Sequence, residues 1–372
     1  MTPSDQKRIP DSEAATAWMA GTDSATRMKS SRHKALPFWE WTAVVLLSSC
    51  LSFGRLPATE IHTLTEHVRD PAFDDISFFL RMPSAWDGEG PERDAFGRRV
   101  PTVRGVLALC SWRAEPADVR RILDRDGRFR HFLGWAERNR MAVMTWTNFR
   151  GYTIRESGDE MEEKRRERFD EAFDDRVDEW DRGFGRLCRK FGLPEKNVLL
   201  YGLSGGGQLA HRLALRAPER FFAVHIHVNS SYDLPRRGGE RMLWMVTTGT
   251  LEAGYPAAQR FYRQALELGY HMIFKAEENL GHADSPAIRR LSLAFFDFCL
   301  PFLPDAADPD WSPPPEEWDY FMRYPAYLGD WYNQVVFPAE EGQKRIPPEF
   351  LVALPSRAVA EAWGPIIAAE PR

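Results

Sequence analysis

Cysteine is scarce: the 372 residues hold four, Cys50, Cys110, Cys188 and Cys299. No two form a C-x-x-C pair, which argues against a zinc or dithiol redox motif. Charge of one sign is lacking too. The 49 lysines and arginines stand against 54 acidic residues, a net of -5. No basic stripe and no zinc-finger spacing occur, so nucleic acid is not an expected partner. No apolar run reaches the roughly 20 residues that a membrane-spanning helix needs. There is no internal repeat, and 43% of the residues are hydrophobic, which excludes disordered and fibrous classes. What is left is globular usage, with a length that suits one large domain plus additions. Cys110, Cys188 and Cys299 lie inside apolar segments and read as small core residues.

The apolar run from Trp41 to Phe53 follows Arg27, Lys29, Arg32 and Lys34. A basic stretch before a short apolar core is the order of a secretory signal. Within it, Leu47-Ser48-Ser49-Cys50 resembles a bacterial lipobox, whose cysteine is lipidated. The expectation is an exported chain: a cell-envelope lipoprotein attached to the membrane through Cys50, or a secreted protein. An ordinary signal and an uncleaved anchor are the alternatives. Glu40 interrupts the apolar stretch, and a start at Met28 would give a signal of ordinary length. Incorporation of labelled palmitate only while Cys50 is present would mark lipidation. Residues 1–60 are therefore set apart as a signal-type segment and linker.

From about residue 70 the chain alternates strand-like and helix-like stretches. Ile76–Met82, Gly105–Cys110, Ala142–Thr147, Val198–Tyr201, Phe221–Val228, Leu243–Thr247 and His271–Lys275 read as strands. Residues 115–140, 158–191 and 208–216, with Ala257–Leu268 and Ala287–Leu300, carry helical spacing. In the most charged of these, Phe169, Phe173, Val177, Trp180, Phe184, Leu187 and Phe191 share one face, and the charges are expected to cover a solvated opposite face. The rhythm predicts an α/β protein: a doubly wound, mostly parallel sheet with helices on both faces over residues 61–300. Residues 301–372 are dense in proline and aromatics. That composition predicts an irregular extension packed on the main domain rather than a disordered tail.

The strongest chemical signal is Gly202-Leu203-Ser204-Gly205-Gly206. It matches G-x-S-x-G, the nucleophile elbow, and it sits between an apolar strand and a helix-compatible segment, as the motif requires. Ser204 is the candidate nucleophile. A serine hydroxyl needs a base. In chain order Ser, acid, His, only His271 and His282 of the nine histidines lie late enough, and His282 occupies a loop after the last strand. Glu252, in the loop after Leu243–Thr247, is the candidate acid that would orient His282, with Asp233 its rival one strand earlier. An oxyanion hole needs two backbone N–H donors. Gly205 supplies one, and the Ser111-Trp112 loop after Gly105–Cys110 is the source of the second, with Trp112 the named donor. The pair His225-x-His227 could suggest a metal, but no third ligand of suitable spacing stands nearby, so packing or a polar sheet edge is the reading. No metal and no cofactor is expected.

With these motifs in order, residues 75 to 300 resemble the α/β-hydrolase superfamily. The resemblance is nearest to its lid-poor esterase branch, the dienelactone hydrolase and polyhydroxybutyrate depolymerase-like proteins. Thr247-Thr248-Gly249-Thr250-Leu251-Glu252-Ala253-Gly254-Tyr255 is similar to a phrase of that branch in which the acidic residue is catalytic. The departure is glutamate where aspartate is usual, an extra methylene that re-spaces the contact to His282. The resemblance implies a serine hydrolase acting through an acyl-enzyme on a small-molecule or polymer-linked ester. A peptidase or amidase would use the same residues. A hydrolase-fold surface lipoprotein with only a binding role is the reading from another class.

Overall fold

The computed structural model describes residues 61–367, apart from 68, 70–73, 87–91, 94–98, 101–102, 111–118, 120–121, 125–128, 148, 150–172 and 304–314. Cys50 lies outside the described residues, as do Ser111, Trp112 and Phe169.

Eight strands make the main sheet: β1 (Ile61–Glu66), β2 (Ile76–Arg81), β3 (Gly105–Cys110), β4 (Met141–Trp146), β5 (Val198–Leu203), β6 (Phe221–His227), β7 (Leu243–Gly249) and β8 (His271–Glu277). Their order is β1-β2-β4-β3-β5-β6-β7-β8. β1 and β2 pair antiparallel, β2 joins β4 antiparallel, and every pairing from β4 to β8 is parallel. Parallel partners need crossovers, which the helices α1 (Arg130–Arg138), α2 (Phe173–Phe191), α3 (Gly205–Arg216) and α4 (Tyr255–Glu267) help to supply, while α5 (Pro286–Cys299) follows the last strand of the sheet. All residues of β3, β5, β6 and β7 are buried. Successive side chains point to opposite faces, so helices must cover both sides of these strands. This is the α/β-hydrolase fold.

On α2, Phe173, Val177, Trp180, Phe184 and Leu187 are buried, and Trp180 stacks on Phe184 at 5.1 Å. Not every charge on this helix is solvated. Arg176 and Glu179 are both buried and pair at 3.1 Å, because a buried charge is tolerated only with a partner. The three described cysteines are buried thiols.

After α5 come α6 (Pro315–Arg323), β9 (Tyr327–Asp330), β10 (Val335–Pro338), α7 (Ala339–Arg345), β11 (Leu351–Leu354) and α8 (Arg357–Trp363). The three strands form a small antiparallel sheet in the order β10-β9-β11. β8 is the last strand of the main sheet, and a bare sheet edge is a site of unwanted pairing. Here the extension covers it. The Trp363 indole N–H donates to Phe274 O at 2.9 Å, and the Tyr262 hydroxyl of α4 donates to Leu351 O at 2.9 Å. Trp331 meets Phe274 edge-on at 5.6 Å, and the Lys275 ammonium sits 4.3 Å over the Trp363 ring.

Burial disfavours the charged form of four histidines. Burial lowers His131 and His211 to about 4, takes His225 well below its ordinary value, and lowers His271. Below about pH 6.5 the unfolded chain therefore binds protons that the folded chain refuses, so stability falls as pH drops. For His211 and His225, which have no exposed surface, the slope reaches about 1.4 kcal/mol per pH unit each. Urea midpoints measured from pH 7.5 to 4.5 should decline steadily below pH 6.5; a flat profile to pH 5 would contradict this.

Candidate active site

The bend at Ser204 follows from its neighbours. β5 ends at Leu203 and α3 begins at Gly205, which leaves one residue for the reversal. Ser204 takes it with φ 57 and ψ -128, in a region that side-chain-bearing residues seldom adopt. Such strain costs on the order of 1–3 kcal/mol and persists only where the surroundings over-determine it. They do so here: Ser204 N–H donates to His227 O at 2.9 Å, and Ser204 O accepts from Gly207 N at 2.8 Å and Gln208 N at 3.1 Å. Gly202 is required by close approach, since a Cβ there would stand 2.7 Å from the Ala210 Cβ.

Ser204 is half-buried, with its Oγ 2.7 Å from His282 Nε2. His282 Nδ1 lies 2.9 Å from Glu252 Oε2. A carboxylate only accepts, so Nδ1 carries the ring proton and the Nε2 lone pair faces the serine hydroxyl. The Glu252 carboxylate is buried while the imidazole is half-exposed, which leaves a path for a substrate from solvent. The structure thus brings Ser204, His282 and Glu252 into one hydrogen-bonded row.

The loops carrying the acid and the histidine are laced together. Thr250 N donates to Glu277 O at 3.0 Å, Leu251 N to Leu280 O at 3.0 Å, and Asn279 N to Thr250 Oγ1 at 3.0 Å. Gly249 permits the approach: a Cβ there would be 2.9 Å from the Leu280 Cβ and nearer still to its carbonyl. From the sequence, Gly249 and Thr250 enter only as part of a phrase, and neither they nor Leu280 take a structural role; the signal is a glycine at a strand's C-terminal end three residues before Glu252. With glutamate at this position, Oε2 still reaches His282 Nδ1 at 2.9 Å.

Asp233 is held elsewhere. Its carboxylate meets Arg212 at 3.2 Å and Arg216 at 2.9 Å, and its backbone N–H donates to His211 Nε2 at 2.8 Å. Burial alone would raise this carboxyl, but His211, Arg212 and Arg216 hold it below its ordinary value. Gly205 opens α3, and the first N–H groups of a helix have no intrahelical acceptor. With the positive end of the helix dipole behind it, that N–H suits a developing oxyanion. Trp112 and Ser111, the sequence's sources for a second donor, are outside the described residues. His225 and His227 are buried and share the Thr247 hydroxyl, at 2.8 Å each. Among the described residues no group of three or more His, Cys, Asp or Glu could hold a metal.

No family model and no curated protein matches the chain. Several solved structures are similar. One titled a ferulic acid esterase has 14% identity and a TM-score of 0.41, covering 66% of this chain and 98% of that one. An esterase of Rhizomucor miehei has 11% identity and a TM-score of 0.42, with 66% and 84% covered. S-formylglutathione hydrolase of Staphylococcus aureus has 10% identity and a TM-score of 0.39, with 65% and 94% covered.

Proposed function

We propose that this chain is a serine hydrolase that cleaves carboxylic esters through an acyl-enzyme. The observation that carries the proposal is the row Ser204 Oγ, His282 Nε2, His282 Nδ1, Glu252 Oε2, at 2.7 and 2.9 Å. A serine in a glycine-rich turn with no chemistry has no need of a buried carboxylate that fixes the tautomer of its neighbouring imidazole. His282 Nε2 takes the Ser204 proton as Oγ bonds to the ester carbonyl carbon, and Gly205 N–H supports the oxyanion. The tetrahedral adduct collapses, the bond to the alcohol oxygen breaks, and the alcohol leaves with the proton from His282. Water then adds to the acyl carbon by the same path and frees the acid. No cofactor is called for.

The roles of the two carboxylates separate by substitution. In Glu252→Gln the amide no longer favours the Nδ1–H tautomer, and kcat for 4-nitrophenyl acetate should fall roughly 10⁴-fold. Asp233→Asn should leave kcat within about threefold and instead lower the urea midpoint, since it discharges a carboxylate paired with Arg212 and Arg216. The reverse pattern, with Asp233→Asn inactive and Glu252→Gln unimpaired, would move the acid to Asp233.

A further inference from the structure

His227 ends β6 directly beside the elbow, and its two ends hold different parts of the site. Its backbone carbonyl accepts the Ser204 N–H at 2.9 Å. Its imidazole Nε2 lies 3.2 Å from Ala283 O, the residue that follows His282. A carbonyl oxygen only accepts, so Nε2 carries the proton and donates. In the neutral ring Nδ1 must then accept, and it faces the Thr247 hydroxyl at 2.8 Å. That hydroxyl, having given its proton to His227, accepts from His225 Nε2 at 2.8 Å. With Nε2 donating to Ala283 O, the order runs from His225 to Thr247, from Thr247 to His227 and from His227 to the histidine loop, and His227 Nδ1 also stands 3.3 Å from Thr247 O.

All three side chains are fully buried, and His225 is held neutral by burial. Three polar groups in an apolar sheet centre cost free energy unless joined to one another, and apart from them β6 is apolar and β7 carries only Thr248 as a further polar side chain. Aliphatic side chains would fill the same space without that cost. The backbone adds a second observation. Val228, just after His227, is at φ 42, a genuine outlier for a β-branched residue. The strain stands between the network and the site, where strained residues tend to gather. Beyond Ala283, the largely covered Asp284 side chain pairs with Arg289 at 2.7 Å, its other oxygen 4.0 Å from His227 Nε2. The loop bearing His282 is thus gripped on both sides of Ala283.

We propose that His227 is a positioning residue for the reaction: the Thr247-supported imidazole sets the height of the histidine loop and so the distance from His282 to Ser204. This rests on the hydrolase reading above. It acts through Ala283 and touches no substrate, so its loss should change kcat and leave KM alone.

Three variants test it on 4-nitrophenyl acetate, beside labelling of Ser204 by a fluorophosphonate. His227→Phe keeps the ring and removes the donor. A misplacement of about 1 Å at a catalytic group can cost about 10²-fold, so kcat should fall about 10- to 100-fold with KM within about twofold. His227→Gln offers an amide N–H to Ala283 O and should recover kcat to within about threefold of wild type. Thr247→Val removes only the hydroxyl that orients the ring and should lower kcat about three- to tenfold. The labelling rate should follow kcat in each. If His227→Phe fails to fold, the Gln and Val variants decide. A folded Thr247→Val or His227→Phe with wild-type kcat overturns the proposal, as does a His227→Gln no better than His227→Phe. Wild-type protein that neither labels nor turns over would instead overturn the hydrolase reading itself.

Discussion

Ser204→Ala should reduce kcat for 4-nitrophenyl acetate by roughly 10⁴- to 10⁶-fold, and His282→Ala should do nearly the same. The size of the effect follows from shared labour. The hydroxyl is a weak nucleophile until the imidazole takes its proton, and the imidazole has nothing to activate once the hydroxyl is gone. The two losses should therefore not add: the double variant should be no slower than either single one by more than about threefold. Neither change should unfold the protein. Ser204 is half-buried at the surface end of the elbow, and the hydrogen bonds that hold its φ of 57 come from backbone groups that alanine retains. Stopped assays with each purified variant, beside a urea titration, check both halves. Substantial turnover by a folded Ser204→Ala would mean that another group attacks the ester.

Trp363→Ala should cost about 3–5 kcal/mol of stability, the range for deleting a fully buried aromatic. The indole is 1% exposed. It closes the free side of β8 through its bond to Phe274 O, carries the Lys275 ammonium on its face, and lies against Gly329 of β9. Burial lowers Lys275 to about 8, so the aromatic face is part of what makes a charged lysine tolerable there. Removing the ring leaves a cavity and a poorly solvated ammonium together. Urea unfolding should remain a single transition at a lower midpoint, with kcat of the folded fraction little changed. Two separate transitions, or a loss under about 1 kcal/mol, would show that the extension is an appendage and not part of the sheet's edge.

The sheet was legible where burial is uniform. Strands such as β5 and β7, covered on both faces, leave continuous apolar runs that survive any choice of register. β1 was not legible: it is an edge strand with polar residues between its apolar ones, and pairing with β2 rather than its own composition keeps it extended. The extension's three short strands were hidden for a related reason, since four-residue segments among prolines carry too little periodicity. In the site, Ser204 was readable because the elbow constrains residue types on both sides, and His282 and Glu252 because chain order leaves few candidates. Chain order alone leaves Asp233 as a rival to Glu252. Which loop lies beside His282 follows from the close approach of Gly249 to Leu280 and from the two arginines of α3 that hold Asp233. The tie from His227 to Ala283 was equally hidden, because alternation along β6 places His225 and His227 on one face without saying what lies above it.

Reaction with a fluorophosphonate, followed by mass spectrometry of the digested protein, tests whether the hydroxyl on the bend is an activated nucleophile. The expected result is one phosphonyl adduct on the peptide containing Ser204, formed within minutes in the intact chain and far more slowly in His282→Ala. An unmodified Ser204, or an adduct that forms equally fast without His282, would contradict the account.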